Sequence, residues 1–164
     1  MIKKLAMLTA LLCSQYAEGN SGLLDRVKTP GLLNPNVTQN NVNSTVCVSG
    51  YSAKIRPTSN YTNRIKLKQL QDNKYTIKDR SIYELDHFVP LSIGGHPTDE
   101  RNLWAEPRFG IFNAGDKDVV ESGVHRDLCK GKLSLIQAQN IFLGDWRMFL
   151  DQYKKQGDVL PRVN

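Results

Sequence analysis

The spacing of apolar positions predicts a chain of mixed helix and strand beyond residue 44. Short apolar runs bounded by turn residues favour a strand at residues 45–51 and a hairpin at residues 82–104. Apolar residues that recur every three or four positions favour helices, which we place at residues 60–70, 112–128 and 134–149. This order of elements is that of an α+β fold.

The predicted helices have distinct inward and outward sides. In the helix at 60–70, Ile65 and Leu70 point inward, and the outward side is largely basic, with Arg64, Lys66 and Lys68. The polar side of the helix at 112–128 repeats at four-residue intervals, as Asn113, Lys117, Glu121 and His125. The last helix opens with a Ser134–Gln137 capping box and directs an apolar set inward, namely Leu135, Ala138, Ile141, Phe142, Trp146 and Phe149.

The N-terminal residues have the order of a secretory signal peptide. Lys3 and Lys4 precede an apolar run at residues 5–12, and a polar stretch follows as far as Ala17. That run is too short to span a bilayer, so we expect residues 1–17 to be removed on export to the periplasm or the medium, with no stable membrane insertion afterwards. Loss of the two lysines lowers the formal charge from +6 to about +4, a mild basicity that helps to steer a protein to an anionic polymer.

The exported chain is expected to be one domain preceded by an arm. Residues 18–44 are rich in Asn, Gly, Pro and Ser without a sustained apolar period, which favours an extended and poorly regular arm. Residues 45–164 suffice for a single hydrophobic core.

The cysteines support the same compartment. If Cys13 leaves with the signal peptide, Cys47 and Cys129 remain as an even pair, which an oxidising compartment would join as a disulfide. Two thiols are too few for a structural zinc site. Free buried thiols are the alternative if the chain stays in the cytosol.

The residues most informative about chemistry lie in the predicted hairpin. Asp86 and His87 end its first apolar run, and Asn102 begins its second, with a turn forced by Gly94 and Gly95 between them. A carboxylate can hold a divalent cation, and an adjacent imidazole can take a proton from water near neutral pH. This pairing suits metal-assisted hydrolysis of a phosphodiester.

The segment YELDHFVPLSIGGHPTDERNLWAEP at residues 83–107 resembles the HNH endonucleases. The likeness continues in three further places: residues 37–57, the Lys117-Asp118 pair with Glu121, and the Ala138-Gln139 and Asp145-Trp146 pairs. All three resemble a branch of small exported HNH-like proteins. The resemblance implies a ββα-metal core of hairpin plus helix, with additional flanking helices, and a metal-dependent endonuclease activity.

The resemblance also implies roles for the motif residues. His87 would be the general base that activates water, and Asp86 would be the first ligand of one divalent ion, Mg²⁺ or Mn²⁺. Asn102 matches the central Asn of the family name, whose amide holds the loop and thereby the base in place. The alternatives are a His87 that only bonds the hairpin backbone and an Asp86 that only caps the turn.

The third residue of the metal site departs from the family pattern, because no His opens the predicted helix. Asn113 is the candidate ligand, with an N-cap role as its alternative and Asp116 as its rival. His125 lies about three turns further on, at about 5.4 Å per turn, which is too distant. His96 is expected to be a solvated loop residue.

Basic residues are candidates for binding a nucleic-acid backbone without reading its bases. Lys117 shares a helical side with Asn113 and could neutralise phosphate, or else pair with Glu121. The other candidates in and near the predicted core are Arg56, Arg80 and Arg101, together with Arg64, Lys66 and Lys68. Glu106 could bond an arginine or assist the site.

The sequence therefore favours an exported HNH endonuclease that cleaves DNA, in preference to RNA, with little sequence specificity, since no DNA-reading module is recognisable. The alternative from another class is an envelope protein of the same fold that binds a protein or polymer without cutting it. A cytosolic nuclease is a third interpretation, which reduced cysteines would distinguish from export.

Overall fold

The computed structural model describes residues 24–158, and the predicted signal peptide at residues 1–17 lies outside them. These residues form an α+β fold with two strands and five α-helices. In chain order the elements are α1 (Tyr51–Ile55), α2 (Ser59–Asp72), β1 (Tyr83–His87), β2 (Leu103–Pro107), α3 (Ala114–Cys129), α4 (Leu135–Leu143) and α5 (Leu150–Asp158).

The predicted hairpin is present as the antiparallel pair β1–β2. Its register places Glu84 opposite Glu106 and Asp86 opposite Trp104. Side chains alternate between the two faces of a strand, and residues directly opposite each other in a hairpin share a face. Glu84 and Asp86 of β1 and Glu106 of β2 therefore lie on the same face of the hairpin.

The loop between the strands is compact because two glycines permit it. Gly94 has φ +82°, a left-handed conformation that other residues rarely adopt. At Gly95 a Cβ atom would lie 1.8 Å from the Val89 carbonyl oxygen, so any side chain there would collide with the backbone. The glycines predicted to force the turn are therefore required by its geometry.

Helix α2 covers the outer edge of the hairpin. The Gln69 side chain donates to the Leu103 carbonyl at 2.9 Å and accepts from the Ala105 amide at 2.7 Å, so that one side chain bonds the free edge of β2. Ile65 and Leu70 are buried as predicted, and Leu70 packs with Tyr83 and Ala105.

Helices α3, α4 and α5 build the main core. Val120, Val124 and Leu128 of α3 are buried, as their four-residue spacing predicts, and pack in one cluster with apolar residues of α4 and α5. The Ser134–Gln137 capping box is also present at the start of α4. Among residues 24–158, none of the helices is long and apolar enough to cross a membrane.

Two predicted elements are wrong. Residues 45–50 form turns rather than a strand, and Tyr51 begins α1. Cys47 and Tyr51 donate their amides to the nearby carbonyls of Val42 (3.0 Å) and Val48 (3.1 Å) rather than to a partner strand. The predicted last helix is interrupted at Gly144, because α4 ends at Leu143. There the Asp145 carboxylate caps a short 3-10 helix, Trp146–Phe149, and the chain then continues as α5.

The described part of the N-terminal arm is irregular apart from a 3-10 helix at Gln39–Ser44. It packs closely on the hairpin loop, since Leu33 forms an isolated bridge with Gly95 and Asn34 donates to the Gly94 carbonyl at 2.8 Å. Val37 of the arm is buried in the main core.

A disulfide joins Cys47 to Cys129, as predicted. Their Cα atoms lie 5.5 Å apart although 82 residues separate them in sequence. The bond ties the turns before α1 to the end of α3.

We expect the double change Cys47→Ala/Cys129→Ala to lower the free energy of unfolding by about 4 kcal/mol, because the bond closes a long loop in the unfolded chain. Urea unfolding followed by circular dichroism measures the loss. A reducing agent should produce a similar loss in the wild type and none in the double variant. Equal stability of oxidised wild type and double variant would contradict the expectation.

Candidate active site

The loop of the hairpin is held by the side-chain amide of Asn102, which is fully buried. Its oxygen accepts from the amides of Val89 at 2.8 Å and Leu32 at 3.3 Å. Its nitrogen donates to the carbonyls of Val89 and His96, both at 3.0 Å. One amide thus joins the loop to the end of β1 and to the N-terminal arm; that it thereby positions a general base stays a prediction.

His87 lies at the end of β1 with only 2% of its surface exposed. Its Nε2 atom is 2.9 Å from the Pro97 carbonyl oxygen. Burial lowers the pKa of the imidazole below its usual value, and this effect outweighs the opposing influence of the Pro97 carbonyl. His87 is therefore neutral at neutral pH, and it does bond the hairpin backbone.

Asp86 forms a buried ion pair with Lys117 of α3. The Asp86 side chain is 16% exposed, whereas Lys117 is fully buried. Burial alone would raise the pKa of Asp86, but the charge and hydrogen bond of Lys117 outweigh it and hold the pKa below its usual range. Lys117 thus connects α3 to the hairpin, and its contact with phosphate stays a prediction.

Glu106 of β2 is a buried acidic group beside Asp86. Its side chain is fully buried, and neither carboxylate oxygen has a hydrogen-bond partner. The nearest cation is Lys117, whose Nζ lies 4.0 Å from Oε2. Burial, reinforced by the neighbouring charge of Asp86, raises the pKa of Glu106 well above its usual value despite Lys117.

Further acidic groups surround these residues. Glu84 lies beside Asp86 and Glu106 and pairs with Arg108 at 2.8 Å. Glu121 of α3 accepts a hydrogen bond from Ser92 Oγ at 2.7 Å, so it is not the ion-pair partner of Lys117 that the four-residue offset suggests.

Asn113 is the N-cap of α3. Its side-chain oxygen accepts from the Asp116 amide at 3.2 Å, and its nitrogen donates to the Gly110 carbonyl at 2.8 Å. Asp116, the rival ligand, pairs with Lys154 at 2.8 Å. Metal ligation by Asn113 stays a prediction, and the contacts the structure gives it are those of its N-cap alternative.

The predicted nucleic-acid-binding residues fall in different environments. Arg56 is exposed, and its charge acts on both His87 and Asp118, so it lies near the imidazole. Arg101 is held by Asp99 through two hydrogen bonds of 2.9 and 2.8 Å. Arg80 is exposed within the 3-10 helix Ile77–Ser81, where its carbonyl accepts from Lys66.

The two remaining histidines have structural contacts. His96 lies in the loop, as predicted, and is half-buried: its Nδ1 accepts from the amides of Thr98 at 3.3 Å and Asp99 at 3.0 Å and so shapes the turn. His125 lies next to the disulfide, 3.4 Å from Cys129 Sγ, with its Nε2 2.8 Å from the Val46 carbonyl oxygen.

The positions of the two carboxylates next to Asp86, those of Glu84 and Glu106, could be predicted from the sequence only in part. Glu84 was not singled out, although its spacing of two residues from Asp86 on a predicted strand indicates a shared face. The position of Glu106 depends on the register of the hairpin, which its 15-residue connection (residues 88–102) did not fix.

We expect Asn102→Asp to lower the free energy of unfolding by about 2 to 4 kcal/mol, because it removes two buried donors and turns a carboxylate oxygen toward two carbonyls. Thermal or urea unfolding measures the loss. Asn63→Asp, the same change at an exposed position of α2, serves as the control and should alter stability by only a few tenths of a kcal/mol. Equal effects of the two changes would contradict the role assigned to Asn102.

Comparison of the chain with protein-family profiles, with curated protein sequences and with solved structures finds no match. The functional argument therefore depends on the residues and their geometry. What that geometry provides is a buried neutral imidazole next to a carboxylate, on a hairpin that carries two further carboxylates and faces a buried lysine.

Proposed function

We propose that this protein is an exported, metal-dependent endonuclease of the HNH type, which hydrolyses phosphodiester bonds of DNA with little sequence preference. The observation that carries the proposal is the Asp86–His87 pair at the end of β1, with its loop held by Asn102. A general base displaced by about an angstrom loses much of its effect, so such a rigid loop is what the chemistry requires.

The role of His87 follows from its hydrogen bond. When Nε2 carries the proton and donates it to the Pro97 carbonyl, Nδ1 keeps a lone pair that can accept a proton from water. The lowered pKa of the imidazole keeps that lone pair free at neutral pH. His87 would thus act as the general base in an attack on phosphorus that needs no covalent intermediate.

The residues around Asp86 fit a divalent metal ion such as Mg²⁺ or Mn²⁺. These cations prefer carboxylate oxygen, and the fully buried oxygens of Glu106 have no hydrogen-bond partner. Asp86 would hold the ion, with Asn113 as the further ligand predicted from the sequence. When bound, the ion would stabilise the negative charge that develops on the phosphate and on its leaving oxygen.

The exposed guanidinium of Arg56 near His87 supports an anionic substrate. It can bind a phosphate next to the scissile one, whereas Arg101 is engaged by Asp99. The Cys47–Cys129 disulfide, with the apolar N-terminal run, supports export, because disulfides persist in oxidising compartments.

A second candidate function is binding without cleavage by an envelope protein of the same fold. Two observations favour it: Lys117 already neutralises Asp86, and His87 is 2% exposed. A nuclease has to admit water and phosphate to the imidazole, so its active site must open on binding substrate.

We expect the purified protein to nick supercoiled plasmid DNA with Mg²⁺ or Mn²⁺, and EDTA to abolish the activity. His87→Gln should lower the nicking rate at least about 100-fold, because glutamine keeps a donor for the Pro97 carbonyl but offers no base. Gel electrophoresis of the open-circular product measures the rate, and thermal unfolding checks the fold of each variant.

The matched control is His125→Gln, which makes the same chemical change at another histidine bonded to a backbone carbonyl. Its nicking rate should stay within a few-fold of the wild type. Equal rates for the wild type and the His87 variant would contradict the role of His87. Folded protein that cuts neither DNA nor RNA with either metal would favour the binding function.

A further inference from the structure

Three carboxylates converge on one face of the hairpin. Glu84 and Asp86 are two residues apart on β1, and Glu106 lies directly opposite Glu84 on β2. One ligand oxygen from each lies within 4.8 Å of the others. The register of the two strands therefore determines their convergence, and no loop has to fold over the site to complete it.

Glu106 shows that this cluster is more than a group of solvated acids. Its carboxylate is fully buried, and neither oxygen has a hydrogen-bond partner, although it lies among the other carboxylates. A buried carboxylate without partners is costly, since water no longer solvates it. Within the protein its carboxyl can bond by sharing a proton with Asp86, whereas a bound cation would take both groups as carboxylates.

Lys117 satisfies the cluster only in part. Its ammonium is hydrogen-bonded to Asp86 but lies 4.0 Å from Glu106, too far for a hydrogen bond. One ammonium therefore faces two carboxylates, the partly exposed one of Asp86 and the fully buried one of Glu106, while Glu84 pairs with Arg108. A hard divalent cation carries the additional charge and takes several carboxylate oxygens as ligands at once.

We propose that Glu106, together with Asp86 and Glu84, binds the divalent cation, and that Lys117 leaves Asp86 when the cation binds. The proposal rests on the metal-dependent function proposed above and replaces Asn113 with Glu106 in the metal site. Asn113 already uses its oxygen to cap α3. Glu121, one turn along α3 from Lys117, is the acceptor toward which the displaced ammonium turns.

Binding of Mn²⁺ to the purified protein without nucleic acid tests the proposal, and the loss of the electron paramagnetic resonance signal of free Mn²⁺ measures it. We expect one site in the wild type and at least 10-fold weaker binding in Glu106→Gln. This change keeps the size of a buried side chain, so the variant should remain folded. Glu100→Gln, at an exposed glutamate in the loop, is the control and should bind as the wild type does.

Two more variants separate the alternatives. Asn113→Ser keeps an N-cap but removes the amide, so its affinity for Mn²⁺ should be unchanged; a 10-fold loss there would overturn the proposal in favour of Asn113. Lys117→Met removes the competing charge and should tighten Mn²⁺ binding, whereas weaker binding would overturn the displacement of Lys117.

The outcomes also distinguish this metal site from the nuclease function. Wild-type affinity in Glu106→Gln, or no binding of Mn²⁺ by the wild type, would overturn the metal site. If the Glu106→Gln protein binds Mn²⁺ with unchanged affinity and still nicks DNA in a metal-dependent way, the metal site is overturned and the nuclease function is supported. Tight Mn²⁺ binding that Glu106→Gln weakens, without any nicking, would support the site and refute the nuclease.

Discussion

The arrangement of the hairpin depends on one buried amide. Asn102 bonds backbone groups at the end of β1, in the turn and in the N-terminal arm, and it uses both its oxygen and its nitrogen to do so. Few side chains can donate and accept from one planar group in this way. Because Val89 is bonded through both its amide and its carbonyl, the chain leaves β1 in a fixed direction. The position of His87, two residues earlier, follows from that constraint.

The charged side chains on one face of the hairpin, Asp86, Glu106 and Lys117, are not arranged for stability alone. Lys117 and Asp86 stabilise each other, and removing either would leave an uncompensated buried charge. Glu106 gains little from the same lysine and remains without a hydrogen bond. A protein under selection for stability alone would place an apolar residue there. The buried glutamate is therefore the observation on which the cation site proposed for this face of the hairpin rests.

Sequence reasoning predicted the elements whose signals are local. The period of Val120, Val124 and Leu128 indicated α3, and Gly94 and Gly95 indicated the turn of the hairpin. It failed where distant contacts decide the conformation. At residues 45–51 the apolar pattern suggests a strand, but the disulfide ties Cys47 to α3, residues 45–50 form hydrogen-bonded turns, and Tyr51 begins α1. The ion pair between Asp86 and Lys117 joins residues far apart in sequence, and only the packing of α3 on the hairpin reveals it.

The contact between Gln69 and β2 has a consequence for the behaviour of the protein in solution. A two-stranded sheet has two edges, and each presents unpaired amides and carbonyls to other chains. The side-chain amide of Gln69 accepts from one such amide and donates to one such carbonyl, as a third strand would. Unlike a third strand, the Gln69 side chain bonds these backbone groups without presenting a further row of unpaired amides and carbonyls. This single glutamine therefore protects one side of the hairpin against strand addition by a neighbouring molecule and limits aggregation through that edge.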